Sequence, residues 1–329
     1  MTYRKYNQDS PMASMHWQHI DVFKGIVILL VIVGHIVQNS LSGGGREHPL
    51  YLWIYTFHMP AFFFCSGFLN KANELRDIVS AKSYIIKKLH RILIPYLIWG
   101  IIMFFYSQKH ISINTFVHYI VLRPGYGLWF LQALFKFCIL SVFIMLFINR
   151  ILQLKREDYK VGIMIIVLAC SAVLSMMQTI PFLIDWNFVW FFLGMILRKS
   201  TTIYRLFIEK RTATILAVIF FASIFMDIPR QIISLTGIIT ILNISLIKFG
   251  NGKVIDWLIC FGKNTMPIFL LHFFLLGKYK LCIPVENTVV LFFILMAISV
   301  IIALICIAVY RSLSFGYLPV MLWGDKNRN

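Results

Sequence analysis

Acidic side chains are scarce in this chain. Asp and Glu together supply 13 of 329 residues, and charged residues of either sign make up only 13%. A soluble domain carries about a quarter. With 60% of residues hydrophobic and a mean hydropathy of +0.81, there is too much apolar surface to hide inside one water-soluble core. A soluble enzyme, a disordered tail and a secreted disulfide scaffold are excluded, and a polytopic membrane protein remains. Paired cysteines are also lacking. Cys65, Cys138, Cys170, Cys260, Cys282 and Cys306 are scattered, mostly within apolar runs, with no CxxC pair, which argues against zinc and disulfides, so no metal is expected. No GxxxxGK[ST] loop is present, which disfavours a self-contained ATP-driven pump. No internal repeat stands out, and the only low-complexity run is Gly43-Gly44-Gly45.

The opening segment, MTYRKYNQDSPMASMHWQHID, is too polar for a secretory signal, and the first apolar run lacks a cleavage site. That run is therefore expected to stay attached as a transmembrane helix. A span needs about 20 mainly apolar residues, and ten candidates emerge at 20–38, 50–69, 92–106, 127–148, 161–178, 182–197, 213–228, 231–247, 255–277 and 287–310. The basic excess, 31 Lys and Arg for a net charge of +18, would suit nucleic acid only on a solvated domain. No such domain is expected, and neither is a nucleic-acid partner. In a membrane protein the excess collects in cytoplasmic loops. With the N-terminus inside, 23 of the 31 fall on the cytoplasmic side, while Arg46, Lys109, Arg123, Arg230, Lys278 and Lys280 lie outside and Lys136 and Lys263 lie within spans. The expected fold is an all-α bundle of about ten transmembrane helices with both termini cytoplasmic. It forms one domain over 1–329, with a cytoplasmic segment at 1–19 and a tail at 311–329.

Charged groups at bilayer depth cost roughly 2.5–3.5 kcal/mol on insertion scales, so they are functional candidates. The first span carries Asp21, Lys24 and His35. Lys24 and His35 are eleven positions apart, about 16 Å along a helix and nearly on one face, and Asp21 precedes Lys24 by three, which lets the charges pair. Lys24 could equally snorkel to the interface and His35 bond a neighbouring helix. The second span supplies His58 and Ser66 as polar groups, with Ser66-Gly67 allowing close helix approach. The cluster Lys87-Lys88-Leu89-His90-Arg91 opens the third span, and reads either as a topology anchor or as a phosphate site at a helix start. Trp129 sits where an aromatic belt is expected. Asp185-Trp186-Asn187 lies near the outer end of span six, and Thr265 and His272 share a helix face in span nine.

Taken in order, Asp21-x-x-Lys24-Gly25, His35 after ten intervening residues, FHMPAFFFCSGFL at 57–69, Lys88-x-x-Arg91 before LIPY, LWFL at 128–131, FFLGMIL at 191–197 and NTMPIFLLH at 264–272 resemble the integral-membrane acyltransferase family 3. Segment 57–69 is most similar to members that O-acetylate sugars, of the fucose 4-O-acetylase type. Position 24 is Lys where many relatives carry Arg, which replaces a bidentate contact by a point charge. The SGNH-type hydrolase domain of larger relatives is not seen, so the acceptor is expected to be met in the membrane domain.

The resemblance implies an acyl group taken from cytoplasmic acetyl-CoA. Lys24, Lys87, Lys88 and Arg91 would face the CoA phosphates, and His35 would act as general base on an acceptor hydroxyl, or as a covalent acyl relay, with Asp21 orienting Lys24. His58, Ser66, Trp129, Asp185, Asn187 and His272 would surround a sugar, polysaccharide or lipid-linked acceptor. The expected setting is a bacterial inner membrane, with lipid as the other partner. Two other readings stay open. One is O-succinyl transfer to an exopolysaccharide, which would favour a further cation near His35. The other is a polysaccharide or lipid transporter without chemistry, which midplane breaks in matched halves would support.

Overall fold

In the computed structural model the described residues are 18–42, 45–75, 77–107, 112–122, 124–125, 127–152, 156–178, 184–223, 226, 228–247, 252–276, 281–283, 287–314 and 318–324. Segment 1–17, residues 325–329, Gly43, Gly44, Lys109, Arg123, Lys278 and Lys280, all used above, lie outside them. Among the described residues regular structure is helical, with one parallel bridge between Leu41 and Leu281. The helices are α1 (Gln18–Asn39), α2 (Pro49–Phe68), α3 (Ile78–Ser107), α4 (Ile113–Leu122), α5 (Trp129–Arg150), α6 (Glu157–Met177) and α7 (Trp186–Lys199). They continue as α8 (Thr201–Ile208), α9 (Lys210–Ala222), α10 (Arg230–Leu246), α11 (Lys253–Lys263), α12 (Thr265–Leu275), α13 (Thr288–Leu313) and α14 (Leu318–Trp323).

Each of the ten expected spans contains a helix. Among the described residues, α1, α3, α5, α6 and α13 are long and apolar enough to cross a bilayer by themselves, and the bent pair α11–α12 makes a sixth. Helix α2 has 20 residues, but Tyr51, Tyr55, His58 and Pro60 dilute its apolar character.

Two spans differ from the sequence expectation. The third is the second half of one continuous helix, Ile78–Ser107, so Lys87, Lys88 and Arg91 stand on a helix and not in a loop before one. Asp77 starts it by accepting from the Ser80 backbone N–H at 2.7 Å. The helix survives Pro95, which has no N–H to offer the Arg91 carbonyl, by widening into a π turn over Leu89–Leu93. Gly324, in the left-handed region at φ 64°, packs on the Arg91 backbone, and the Trp99 indole donates to the Leu322 carbonyl at 2.8 Å. Helix α14 is thereby held against the basic cluster.

The ninth span is broken at Asn264 into two helices 85° apart. Pro267 falls in the first turn of the second piece, where its missing N–H costs nothing. The Asn264 amide donates to the Cys260 carbonyl at 2.7 Å and satisfies the end of the first piece.

Burial identifies the centre of the bundle. In α1, 83% of the apolar window is buried, against 17% in α6, so α1 is a central post and α6 an outer helix. Outward side chains such as Phe143, Ile166, Val173, Met176, Phe293 and Ile301 are exposed. In water they would form apolar patches, whereas lipid tails accept them without penalty.

Two backbone-to-backbone crossings hold the inner helices together. A Cβ on Gly25 would strike the Leu258 carbonyl and one on Gly262 the Asp21 carbonyl, which fixes α1 against α11. A Cβ on Gly67 would strike the Phe191 carbonyl and one on Gly194 the Phe64 carbonyl, which fixes α2 against α7. Small residues at such crossings let dispersion forces act over the whole contact. Beyond the end of α2, buried Asn70 accepts from the Tyr84 hydroxyl at 2.6 Å and donates to Ser141 Oγ at 3.1 Å, tying α2 to α3 and α5.

A Gly194→Val substitution is expected to separate α2 from α7 and to lower the melting temperature of detergent-purified protein, at a cost of at least the 1–3 kcal/mol typical of overpacking. The control is Gly162→Val on α6, where an added Cβ meets nothing within 4 Å. Equal melting temperatures for the two variants would contradict the crossing.

Candidate active site

The C-terminal ends of α1 and α12 and the N-terminal ends of α2, α5, α7 and α10 converge at one end of the bundle. Between them lies a cavity of about 1180 Å³. Its aromatic lining includes Tyr51, Tyr55, Trp129, Trp186 and Trp190, and among the described residues its charged lining is Arg46 and Arg230. His35 stands in this wall. Gly34 makes the site on α1, because a Cβ there would lie 2.8 Å from the Tyr55 ring. Its absence lets Tyr55 close against His35.

Hydrogen-bond partners assign the His35 tautomer. The Tyr55 hydroxyl donates to Gln38 Oε1 at 2.9 Å, which uses its one proton. Its oxygen is then an acceptor for His35 Nδ1 at 2.7 Å, and Gln38 Oε1 is a second acceptor for the same nitrogen at 3.3 Å. Nδ1 therefore carries the proton and Nε2 the basic lone pair. Tyr55 is braced in turn by Tyr51, one turn earlier, with stacked ring centroids 3.8 Å apart. This is an arrangement a general base can use: Nδ1 is held at 2.7 Å by the Tyr55 hydroxyl, and Nε2, 3.5 Å from the same oxygen, is the nitrogen that takes a proton.

Two further histidines adjoin. His58 donates Nδ1–H to the Ile54 carbonyl at 2.8 Å and packs on the Tyr55 ring at 4.5 Å. His272 donates to the Ile268 carbonyl at 3.0 Å, lies 5.3 Å from the His35 ring and, among the described residues, has no hydrogen-bond partner at Nε2. Among the described residues, no group of three or more His, Cys, Asp or Glu is arranged to hold a metal ion.

The residues singled out in the sequence do not all meet in one place. His35, His58, Trp129 and Asn187 line the cavity. His272 lies behind His35 and is fully buried. Asp185 caps α7, accepting from the Phe188 N–H at 3.1 Å and the Asn187 side chain at 3.0 Å, and does not line the cavity. Ser66 sits near the opposite end of α2, beside the Gly67 crossing, and is likewise outside the lining.

Lys24 and Asp21 pair at 2.7 Å with little exposure, about 16 Å along α1 from His35. Lys87 and Lys88 stand on the last α-helical turn before the π turn of α3 and Arg91 within it, with Lys87 and Arg91 exposed and Lys88 lying 5.2 Å over the Tyr84 ring. Sequence reasoning passed over Tyr55, Gln38, Arg46, Trp186, Trp190 and Arg230. The first was visible in principle: Tyr51, Tyr55 and His58 fall at i, i+4 and i+7, one face of a helix. Arg46 and Arg230 were counted only as outer-loop charges.

With this geometry in place, comparison with known proteins decides the family. A family model described as an acyltransferase domain matches residues 17–308. The chain belongs to the integral-membrane acyltransferase family 3. It is also similar to the nodulation protein NolL of Mesorhizobium japonicum, at 37% identity over 82 residues, which is 24% of this chain and 21% of that protein. The nodulation protein NolL of Sinorhizobium fredii is 35% identical over 82 residues, 24% of this chain and 22% of that protein. These matches span about a fifth of each relative's length. No solved structure matches.

Tyr55→Phe keeps the ring contact with Tyr51 and deletes the acceptor for His35 Nδ1. Its expected effect is a fall of about tenfold in acyl transfer, the worth of one hydrogen bond of ~1.4 kcal/mol, with the melting temperature nearly unchanged. Wild-type turnover in this variant would show that Tyr55 does not position His35.

Proposed function

We propose that the protein is a membrane O-acetyltransferase that moves an acetyl group from cytoplasmic acetyl-CoA to a hydroxyl of a cell-surface polysaccharide or lipid-linked sugar. The observation that carries this reading is the His35 imidazole, held at Nδ1 by Tyr55 and Gln38 in the wall of a large aromatic cavity, in a chain of the acyltransferase family. His35 Nε2 takes the proton of the acceptor hydroxyl as its oxygen attacks the thioester carbonyl. The new C–O bond forms, the C–S bond breaks, and the thiolate leaves with the proton the imidazolium returns. A positioned base of this kind contributes about 10²–10⁴-fold. Trp129, Trp186, Trp190 and Asn187 offer stacking faces and a polar group for a sugar ring, and His58 contributes beside Tyr55. His272 acts by packing on His35.

On this reading both termini are cytoplasmic, the chain crosses a bacterial inner membrane ten times as one domain, and the cavity lies towards the outer side. Lys87, Lys88 and Arg91 then face the cytoplasm, where they hold the CoA phosphates with Lys24 nearby, and Asp21 compensates Lys24. The acyl group travels the roughly 16 Å between the charge pair and His35. A specific observation favours one second reading, O-succinyl transfer: two arginines line the cavity, and a succinyl group carries a carboxylate.

Purified protein in vesicles, supplied with acetyl-CoA labelled on the acetyl group, is expected to move label to water or to an added glycan. His35→Ala is expected to abolish this while leaving the folded yield intact, and activity above about a tenth of wild type would remove His35 as the base. Succinyl-CoA turned over faster than acetyl-CoA would establish the second reading. Separately, Lys88→Ala and Arg91→Ala are expected to raise the KM for acetyl-CoA and weaken its salt dependence. An unchanged KM in both would return the cluster to a topology anchor.

A further inference from the structure

The cavity has a charge asymmetry that acetyl transfer to a neutral sugar does not require. Among the described residues its lining contains Arg46 and Arg230 and no Asp or Glu. Arg46 precedes α2 and Arg230 opens α10, and both are exposed. They are brought to one cavity by the packing of α10 on α2, where Ser234, one turn after Arg230, donates to the Thr56 carbonyl at 2.7 Å. Among the described residues neither arginine forms an ion pair. In a chain with 13 acids and 31 basic residues, arginines in outer loops also run against the positive-inside rule, so their presence needs a local reason.

We propose that the acceptor bears an anionic group, a sugar carboxylate or a phosphate, which Arg46 and Arg230 hold while its hydroxyl lies beside His35. This deepens the acetyltransferase reading and rests on it. A guanidinium fork matches a carboxylate or phosphate edge in a way a lysine does not, and aromatic faces beside it suit the ring that carries the charge. The occupant proposed is the acceptor and not a succinyl carboxylate on the donor. A reacting acyl carbon must come within about 3–3.5 Å of the acceptor oxygen, beside His35, whereas both arginines are exposed. The basic cluster suited to CoA phosphates is at the other end of the bundle.

The test is calorimetry on protein in nanodiscs of uncharged phosphatidylcholine. Four probes are used in two pairs: tetragalacturonate with its carboxyl-reduced neutral counterpart, and farnesyl diphosphate with farnesol. In wild type, at least one anionic probe is expected to bind tenfold or more tightly than its neutral partner, with the ratio falling as NaCl rises. In the Arg46→Gln/Arg230→Gln double variant the ratio is expected to fall below threefold, while Arg46→Lys/Arg230→Lys, which keeps the charge, retains part of it. Preference for tetragalacturonate alone places the charge on the glycan, and preference for farnesyl diphosphate alone places it on a lipid carrier. Either outcome upholds the proposal.

Absence of discrimination in both pairs overturns it, as does discrimination that survives the double Gln variant. So does a double Gln variant whose measured change is in affinity for CoA or in the ratio of succinyl-CoA to acetyl-CoA binding. Probe binding needs no turnover. A wild type that binds the anions but never turns over acyl-CoA would end the acetyltransferase reading and leave the anion site in place.

Discussion

Close backbone approach between helices is the constraint on which the rest of this structure depends. In lipid, burying Leu against Leu gains little over leaving each in contact with acyl chains, so helices need van der Waals contact and interhelical hydrogen bonds to stay together. Gly25 and Gly262 let α1 and α11 meet at their carbonyls, and Gly67 and Gly194 do the same for α2 and α7. Those crossings lie towards the end of the bundle that carries Lys24 and Asn70. At the other end α1, α2 and α7 line the cavity, with α12 in place of α11. Tight contact at one end and an open, aromatic-lined volume at the other are two consequences of one arrangement of small residues.

Inside that frame several buried polar groups are handled by a carbonyl one turn away. Buried donors and acceptors without partners are costly in a low-dielectric interior. Accordingly, His58 and His272 both give their Nδ1–H to the carbonyl four residues earlier, which settles their tautomers without help from another helix. His35 differs. Its Nδ1 looks across to Tyr55 of α2 and to Gln38 of its own helix, so its orientation depends on the α1–α2 contact. A histidine whose geometry is set by tertiary packing, and whose ring edges a cavity, is better placed for chemistry than one absorbed by its own helix.

Much of this was legible in the residues. Spans appear as apolar runs because lipid demands them, and α1, α2 and α13 match their expected limits within a few residues. The failures have physical causes. Pro95 read as a helix start, yet a π turn absorbs a proline at a modest cost in hydrogen bonding, so Ile78–Ser107 runs through it. Asn264 and Pro267 together permit an 85° break that hydropathy cannot register, since both halves stay apolar. In the site, His35, His58, Trp129 and Asn187 were reachable from type and position. Asp185 caps α7 outside the lining, and an N-cap and a binding carboxylate look alike in a sequence. Arg46 and Arg230, 184 positions apart in the chain, share a cavity only because α10 packs on α2, and no local pattern encodes that pairing.

The distribution of charge along the bundle bears on what can pass through it. Lys24 and Asp21 neutralise each other at 2.7 Å, and Lys87, Lys88 and Arg91 remain at the same end. From there α1 is apolar from Ile26 to Val33 before reaching Gly34 and His35. A phosphate moving through that stretch would lose its hydration with no partner in return, at a cost of several kcal/mol or more. A neutral thioester arm would not. On the proposed reading, an anionic carrier is held at one end while an uncharged group extends inward to the imidazole. The arginines at the far end cannot draw the carrier through, because the apolar stretch separates the two cationic regions. On the proposed reading, that separation gives each end its own anion and leaves the acyl transfer to be done between them.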